Sequence, residues 1–169
     1  MSGNAKGPAD TINIPIEHFK VHNGQMFYLS YTFAAVADSA TVEMIMFTGD
    51  EPPHVVITAT SPGAARISIL SNPTSTANGT TLTSYNMCRT STNVAAAIMT
   101  YAPTNATSTT IIVNDYIPGG STVQTRVGAS ARQNTEWIFK PNYKYLIRFE
   151  NLAKAQADYM NLVFEWYED

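Results

Sequence analysis

Three histidines, His18, His22 and His54, are the side chains best suited to acid–base or metal chemistry in this sequence. His18 and His22 are four residues apart, and on a helix such a pair shares one face and can chelate an ion. The residues between them run into Asn23-Gly24, however, and this pattern indicates a strand and a turn. His54 follows two prolines at the start of a predicted strand, where a hydrogen-bonded surface or edge histidine is commoner than a catalytic base. The histidines therefore predict neither a metal site nor a general base.

Carboxylates are the second source of possible chemistry, because glycan hydrolysis needs two of them held across the bond that breaks. The candidates come from different predicted strands, which could supply such a pair, and their spacing in the sequence does not show how far apart they lie. They are Asp50, Glu51, Asp115, Glu136 and Glu150. A hydrolase that uses Asp50, Glu51 or Asp115 stays an alternative, but the prediction is that the protein is not an enzyme.

Motifs for nucleophiles and cofactors are missing from the sequence. The Gly-Gly-Ser of residues 119–121 and the Gly-Ala-Ser of residues 128–130 lack the Gly-x-Ser-x-Gly spacing of a nucleophile elbow. No glycine-rich loop lies between a predicted strand and helix to bind a phosphate. Cys88 is the single cysteine, so no thiolate pair can bind zinc, and we predict that it is a small buried apolar residue. We therefore predict no catalytic residue, no metal and no cofactor.

The composition predicts one folded domain with neither nucleic acid nor a membrane as its partner. A chain of 169 residues, 44% hydrophobic and 14% charged, is typical of a globular domain. Its ten basic residues are dispersed among thirteen acidic ones and form no stripe that could neutralise phosphates. No apolar run approaches the roughly 20 residues that span a bilayer. The polar first residues lack the apolar core of a secretory signal, which predicts synthesis in a cytoplasm.

Short runs of β-branched and aromatic residues, separated by turn-forming residues, predict about eight or nine antiparallel strands. Residues 1–11 are small and polar, so we expect a flexible N-terminal arm followed by a single β-sandwich domain at residues 12–169. Residues 151–158 are interpreted as a loop. These strands are expected among ten runs, at residues 26–33, 42–48, 54–60, 65–70, 80–88, 95–101, 109–113, 135–139, 143–150 and 160–166.

Strands without intervening helices predict an all-β fold, an antiparallel β-sandwich that is jelly-roll-like, with two four-stranded sheets. An immunoglobulin-like sandwich is the alternative. The strongest predicted hairpin joins residues 135–139 to residues 143–150 through the turn Lys140-Pro141-Asn142. In the last strand Leu162, Phe164 and Trp166 alternate with polar neighbours, so we expect them in the core.

Two arginines stand among apolar or uncharged neighbours, Arg66 in a predicted strand and Arg89 shortly after Tyr85 and Asn86. Arginine is favoured at subunit contacts, although a solvated strand face explains each position as simply. Arg66, Tyr85, Asn86 and Arg89 are therefore the candidate interaction residues.

Residues 65–169 contain an ordered series of seven motifs. They are Leu-Ser-Asn-Pro-Thr at 70–74, Ala-Asn-Gly-Thr-Thr-Leu at 77–82, Tyr-Asn-Met-Cys-Arg-Thr-Ser at 85–91, Tyr-Ala-Pro-Thr at 101–104, Glu-Trp-Ile-Phe-Lys-Pro-Asn at 136–142, Tyr-Leu-Ile-Arg-Phe-Glu-Asn-Leu-Ala at 145–153 and Leu-Val-Phe-Glu-Trp-Tyr-Glu at 162–168. This series resembles a family of small structural proteins of tailed bacteriophages. Met87 and Cys88 depart from the family's pattern, because polar or basic residues are usual there before Arg89.

The resemblance implies a protein of the virion, located on the capsid surface, whose partners are the major capsid protein and copies of itself. We expect a decoration or cement protein that forms a homotrimer and stabilises the outer surface of the head. The alternative is a receptor- or glycan-binding β-sandwich module of a tail or head fibre, in which exposed aromatic residues stack on sugar rings.

Overall fold

The computed structural model describes residues 15–119, 129–131, 135–153 and 157–168. Within these ranges the chain forms one short helix and twelve strands. They are α1 Ile16–His22, β1 Met26–Val36, β2 Thr41–Phe47, β3 His54–Ser61, β4 Ala65–Ser71, β5 Thr80–Leu82, β6 Tyr85–Asn86, β7 Ile98–Tyr101, β8 Thr110–Ile117, β9 Ala129–Ala131, β10 Glu136–Ile138, β11 Lys144–Asn151 and β12 Asp158–Tyr167.

The strands form two antiparallel sheets that pack face to face. Sheet A has the order β10-β3-β12-β1-β6, with β9 also paired to β3, and sheet B has the order β5-β7-β2-β11-β4-β8. Eight strands form the sandwich itself, four in sheet A (β10, β3, β12 and β1) and four in sheet B (β2, β11, β4 and β8). The chain changes sheet at each step from β1 to β4, again between β8 and β10, and at each step from β10 to β12. Two Greek keys of this kind make a jelly roll. The predicted all-β, jelly-roll-like sandwich is confirmed.

The core lies between the two sheets and is richest along their central strands, β11 and β12. Successive side chains of a strand point to opposite faces, so alternate residues enter the core. Tyr145, Ile147 and Phe149 of β11 and the predicted Leu162, Phe164 and Trp166 of β12 are all buried in one cluster.

Residues 72–109, between β4 and β8, form what we call the insertion. Its strands β5 and β7 extend sheet B beyond β2, while β6 pairs with β1 at the end of sheet A. The strand predicted at 80–88 is therefore two short strands in different sheets, and the one predicted at 95–101 is reduced to β7. Because an exposed edge is open to pairing with other chains, the insertion protects the β1 and β2 side of the sandwich.

A second, smaller apolar cluster lies on the outer face of sheet B. Ile45, Leu70 and Leu146 come from three adjacent strands and pack with Ala106 of the insertion. The insertion is held over them by two isolated bridges, which pair Thr74 with Thr107 and Ala77 with Thr104. Leu70 and Leu146 alternate with the residues of β4 and β11 that face the core, and both are nevertheless buried because the insertion covers the outer face.

The strand and turn predicted around His18 and His22 are wrong, because Ile16–His22 is a helix. Pro15 precedes the first turn, and its carbonyl accepts a hydrogen bond from the Phe19 N–H at 3.1 Å. Proline is tolerated at a helix start because the N–H that it lacks would have no partner within the helix. The chain leaves the helix at Gly24, whose φ of 68° favours glycine. With seven residues α1 is far too short to span a bilayer, and no other helix occurs in the described ranges that could do so.

The predicted hairpin of residues 135–139 with 143–150 is also wrong. β10 pairs with β3 in sheet A, whereas β11 pairs with β2 and β4 in sheet B. The turn itself exists, with Asn142 at a φ of 50°, but it carries the chain from one sheet to the other. The Asn142 N–H donates to the Gly49 carbonyl at 2.7 Å, which fixes this crossing to the end of β2.

Of the remaining predictions, the loop at 151–158 agrees with the end of β11 at Asn151 and the start of β12 at Asp158, apart from residues 154–156, which lie outside the described ranges. The predicted arm at 1–11 and the domain boundary at residue 12 lie outside them as well, as do Ser121 and Gly128 of the two glycine–serine runs.

The outer cluster provides a test of how the insertion is held. We expect Leu146→Ala to lower the free energy of unfolding by about 2–5 kcal/mol, because it opens a cavity beneath the insertion. Urea denaturation followed by tryptophan fluorescence measures this change. Val94→Ala is the control, since Val94 is 87% exposed, and should change stability by less than about 0.5 kcal/mol. Equal effects of the two variants would contradict a packed outer cluster.

Candidate functional site

Two of the predicted interaction residues, Tyr85 and Arg89, meet at a cleft of about 500 Å³ in the insertion. Tyr85 is 55% exposed, and the Arg89 guanidinium carbon lies 5.6 Å from its ring centroid. Such a cation–π contact holds the ring and the guanidinium together at the surface. We call this the insertion cleft and define it by Leu82, Tyr85, Arg89, Val94 and Ile98.

Asn86, the third predicted interaction residue of this region, organises the loop beside the cleft. Its side-chain amide donates to the carbonyls of Gly24 at 2.8 Å and Asn93 at 3.1 Å. Its side-chain oxygen accepts the Cys88 N–H at 2.9 Å. The loop approaches Gly24 so closely that a Cβ atom on residue 24 would lie 2.2 Å from the Ser91 hydroxyl oxygen, which leaves room for glycine only. Asn86 therefore shapes the insertion cleft, and its polar atoms are engaged within the protein.

Glu168 fixes the other side of the insertion to the C-terminal strand. Its carboxylate accepts the N–H groups of Ala96 at 2.7 Å and Ala97 at 2.8 Å, and the Trp166 indole N–H at 3.0 Å. Charge-assisted bonds to backbone N–H groups are among the stronger hydrogen bonds in proteins. The segment leading into β7 is thus held against the end of β12. Sequence reasoning missed Glu168, because its partners are backbone groups about seventy residues away.

Arg66, the fourth predicted residue, lies apart from the insertion cleft on the outer face of sheet B. It is exposed and forms an ion pair with Glu150 at 3.4 Å, and it stands in register with Tyr116 of β8. Ile111, Ile112 and Tyr116 of this strand are 58%, 43% and 60% exposed. We call Arg66 and these three residues the edge patch, since β8 has a single paired neighbour, β4, among the described strands.

His54 joins Glu136 and Tyr167 in a polar cluster on the outer face of sheet A. Its Nδ1 atom contacts the Glu136 carboxylate, the Tyr167 hydroxyl donates to the same carboxylate at 2.8 Å, and the His54 and Tyr167 rings stack 4.4 Å apart. The hydrogen bond from Tyr167, with a smaller contribution from His54, lowers the pKa of Glu136 below 4.5, against a partial burial that raises it. The interpretation of His54 as a hydrogen-bonded surface residue agrees with this geometry, but its position at a sheet edge does not, because β3 lies between β10 and β12.

The carboxylates considered for hydrolysis do not come together. Asp50 and Glu51 follow the end of β2, while Asp115 is in register with Ile67 near the opposite end of sheet B. Glu150 pairs with Arg66 and Glu136 with His54.

Cys88 is half-buried in the loop next to the insertion cleft, so the prediction of a buried apolar residue is wrong. Its sulfur lies 3.4 Å from the Thr90 hydroxyl. That hydrogen bond, supported by the backbone N–H groups of Thr90 and Ser91, lowers the pKa of the Cys88 thiol below its ordinary value of 9.0. The loop therefore presents a thiol with increased thiolate character.

His18 and His22 lie side by side on α1, with their Nε2 atoms 3.0 Å apart. The described part of the chain contains no group of three or more histidine, cysteine or acidic side chains placed to bind one ion.

Comparisons with protein-family models, with curated proteins and with solved structures gave no match for this chain. Its class is therefore defined by its fold and its surfaces. It is a jelly-roll sandwich that presents an insertion cleft at one side and an edge patch at the other.

The Glu136 cluster predicts a specific dependence of stability on pH. Because folding lowers the pKa of Glu136, its stabilising contribution is present above the unfolded value near 4.5 and is lost as the pH falls through the folded value. Glu136→Gln should therefore cost at most about 1 kcal/mol at pH 7, since the side chain is 41% exposed. Urea titrations between pH 3 and 7 should show the difference from wild type shrinking at acidic pH. A difference that grows on acidification would contradict the assignment.

Asn86→Ala tests the organisation of the loop. It should lower the free energy of unfolding by about 1–3 kcal/mol, because it leaves a backbone N–H and two carbonyls without their partner. Alkylation of Cys88 by iodoacetamide under native conditions should become several-fold faster as the loop opens. Thr83→Ala, at an exposed position on the same cleft, is the control and should change neither measurement. Unchanged alkylation in Asn86→Ala would show that Asn86 does not hold the loop.

Proposed function

We propose that this protein is a non-catalytic structural protein of a phage virion, a decoration protein that binds the outer surface of the head as a homo-oligomer. The observation that carries the proposal is the distribution of apolar surface. Of the eleven exposed large apolar side chains among the described residues, seven lie in the insertion or on β8. Clustered apolar surface of this kind marks contact with other proteins. The resemblance of residues 65–169 to phage structural proteins gives the contact its biological setting.

The edge patch is the proposed surface for self-association. β8 is eight residues long and presents Ile111, Ile112 and Tyr116 beside an edge that pairs with β4 on one side. A second copy can add to such an edge through backbone hydrogen bonds and bury these side chains. Arg66 and Glu150 supply opposite charges at its margin. Contact of the edge patch with a different surface of the next copy is head-to-tail and can close into the expected trimer, whereas pairing of two edge patches would give a dimer.

The insertion cleft is the proposed surface for the capsid. Asn86 and Glu168 hold it to the sandwich at both ends, so its shape is fixed before binding. Tyr85 and Arg89 are residue types enriched among those that dominate binding energy. Fixed aromatic and guanidinium groups lose little conformational freedom on binding, which suits many weak contacts repeated over a lattice.

Binding of a receptor or glycan is the second candidate, and the lining of the same cleft favours it. The Tyr85 ring is exposed for stacking on a sugar, and hydroxyl and amide groups of Thr81, Thr83, Ser84 and Asn93 surround it. Stacking combined with polar groups that fix orientation is what recognition of a small ligand requires. This function would use the same residues without a capsid.

Co-sedimentation with phage heads that lack the protein tests the first proposal. Saturation at hundreds of copies per head, in a ratio set by the capsid lattice, is expected. A dozen copies or fewer would indicate a vertex or fibre component, and no binding would reject the proposal. Glycan arrays probed with the same preparation test the second candidate.

Paired variants locate the two surfaces. Ile111→Lys should convert the oligomer to monomer in light scattering, whereas Ile138→Lys should not, although Ile138 is 66% exposed on β10. The double variant Tyr85→Ala with Arg89→Ala should weaken head binding at least tenfold and leave the oligomer intact. Tyr159→Ala, at a tyrosine 67% exposed on β12, is its control. Equal effects of variant and control would contradict the assignment of that surface.

A further inference from the structure

The geometry points to a transition-metal site formed by His18 and His22 on α1, a two-histidine chelate for Cu²⁺ or Ni²⁺. The spacing i, i+4 places both rings on one face of the helix. Their Nε2 atoms are directed at each other, 3.0 Å apart, with the rings at 68°. In this state one ring donates its N–H to the other. To bind a metal ion, the donor ring would take the tautomer protonated at Nδ1, so that both Nε2 atoms present a lone pair to the ion and no net proton is lost.

The separation of the two nitrogens indicates which ions fit. At metal–nitrogen distances of about 2.0–2.1 Å, nitrogens 3.0 Å apart subtend an angle of about 94° at the ion. This is close to the right angle of square-planar and octahedral centres, which Cu²⁺ and Ni²⁺ prefer. A tetrahedral Zn²⁺ site needs the nitrogens a few tenths of an ångström further apart. The expected order of affinity is therefore Cu²⁺, then Ni²⁺, then Zn²⁺.

The surroundings favour the approach of a cation. His18 lines a cleft of about 550 Å³ between α1 and the outer face of sheet A, and three carboxylates, Glu17, Glu136 and Glu165, line it too. A cleft of one sign of charge raises the local concentration of ions of the opposite sign. Glu136 is already bonded to His54 and Tyr167, so it contributes to the field and not to the coordination sphere.

The chelate leaves coordination positions open. In the His-Glu-x-x-His motif of zinc peptidases, the residue after the first histidine is a glutamate that acts as the general base. Here that residue is Phe19, so the histidine pair lacks the base that this hydrolysis needs. Two nitrogens occupy two positions, and water or a side chain of another molecule takes the rest. The site is thus a binding site on the surface of the sandwich, and Met87 of the insertion lines the same cleft as His18.

Isothermal titration of the untagged full-length protein with CuCl₂, NiCl₂ and ZnCl₂ tests this inference. We expect one ion per chain in the order of affinity given above, and retention on a Ni²⁺-charged resin until imidazole is added. His18→Ala and His22→Ala should each weaken binding at least tenfold. Alanine favours the helix more than histidine does, so α1 should persist in both. His54→Ala should bind as the wild type does.

A spacing variant separates chelation from mere histidine content. His22→Ala combined with Phe19→His keeps two histidines on α1 but places them on neighbouring positions that do not share a face. Loss of Ni²⁺ binding in this variant would support the chelate. Binding equal to wild type in it, unchanged binding in His18→Ala, or no binding by the wild type would each overturn the inference.

Discussion

Burial of alternate side chains of β11 and β12 between the sheets is the interaction on which the rest of the structure depends. β11 is flanked by β2 and β4, and β12 by β1 and β3, so each central strand organises its sheet. Removing the apolar surface of Phe149, Phe164 and Trp166 from water, at about 25 cal/mol per Å², is the main source of stability. Because both strands come last in the chain and pair with the first four, nearly every stabilising contact is long-range. Such topologies fold slowly compared with helical domains.

The insertion depends on this core but is held by polar contacts. It contributes few large buried side chains, and its segments are fixed by side chains that bond to backbone groups. Asn86 joins it to the turn at Gly24, and Glu168 joins it to the end of β12. Directional bonds of this kind fix a loop in one geometry, as a binding surface requires. Burial of the core thus provides the free energy of folding, while the hydrogen bonds of Asn86 and Glu168 fix the shape of the insertion cleft.

The strands of the sandwich were predictable because every second residue faces the core, which gives the sequence a period of two, even though the insertion also buries part of the outer face of β2, β4 and β11. β1, β3, β4, β11 and β12 all carry that signal. The hairpin of β10 and β11 was mispredicted because a turn sequence records that the chain reverses, and not whether it returns to the same sheet. Helix α1 was missed because seven residues hold less than two turns of periodicity.

The candidate site was predictable to a similar extent. Tyr85 and Arg89 were found together because they are close in sequence, and Arg66 was noticed as a charge in a strand. Its partners Glu150 and Tyr116 became visible once the register of β4 with β11 and β8 was known. Glu168 could not be found from the sequence, since its acceptor role depends on packing between β12 and the insertion. Contacts across sheets leave no local pattern.

The strand order also determines how the two proposed surfaces can act together. β5 and β8 are the first and last strands of the six in sheet B, and at about 4.8 Å between strands their edges are about 24 Å apart. The insertion cleft lies at the β5 end of the sheet and the edge patch at the β8 end, so a partner bound at one does not cover the other. A protomer can therefore contact a second copy and a different surface at the same time. That separation is the geometric requirement for a subunit that oligomerises while bound to a lattice.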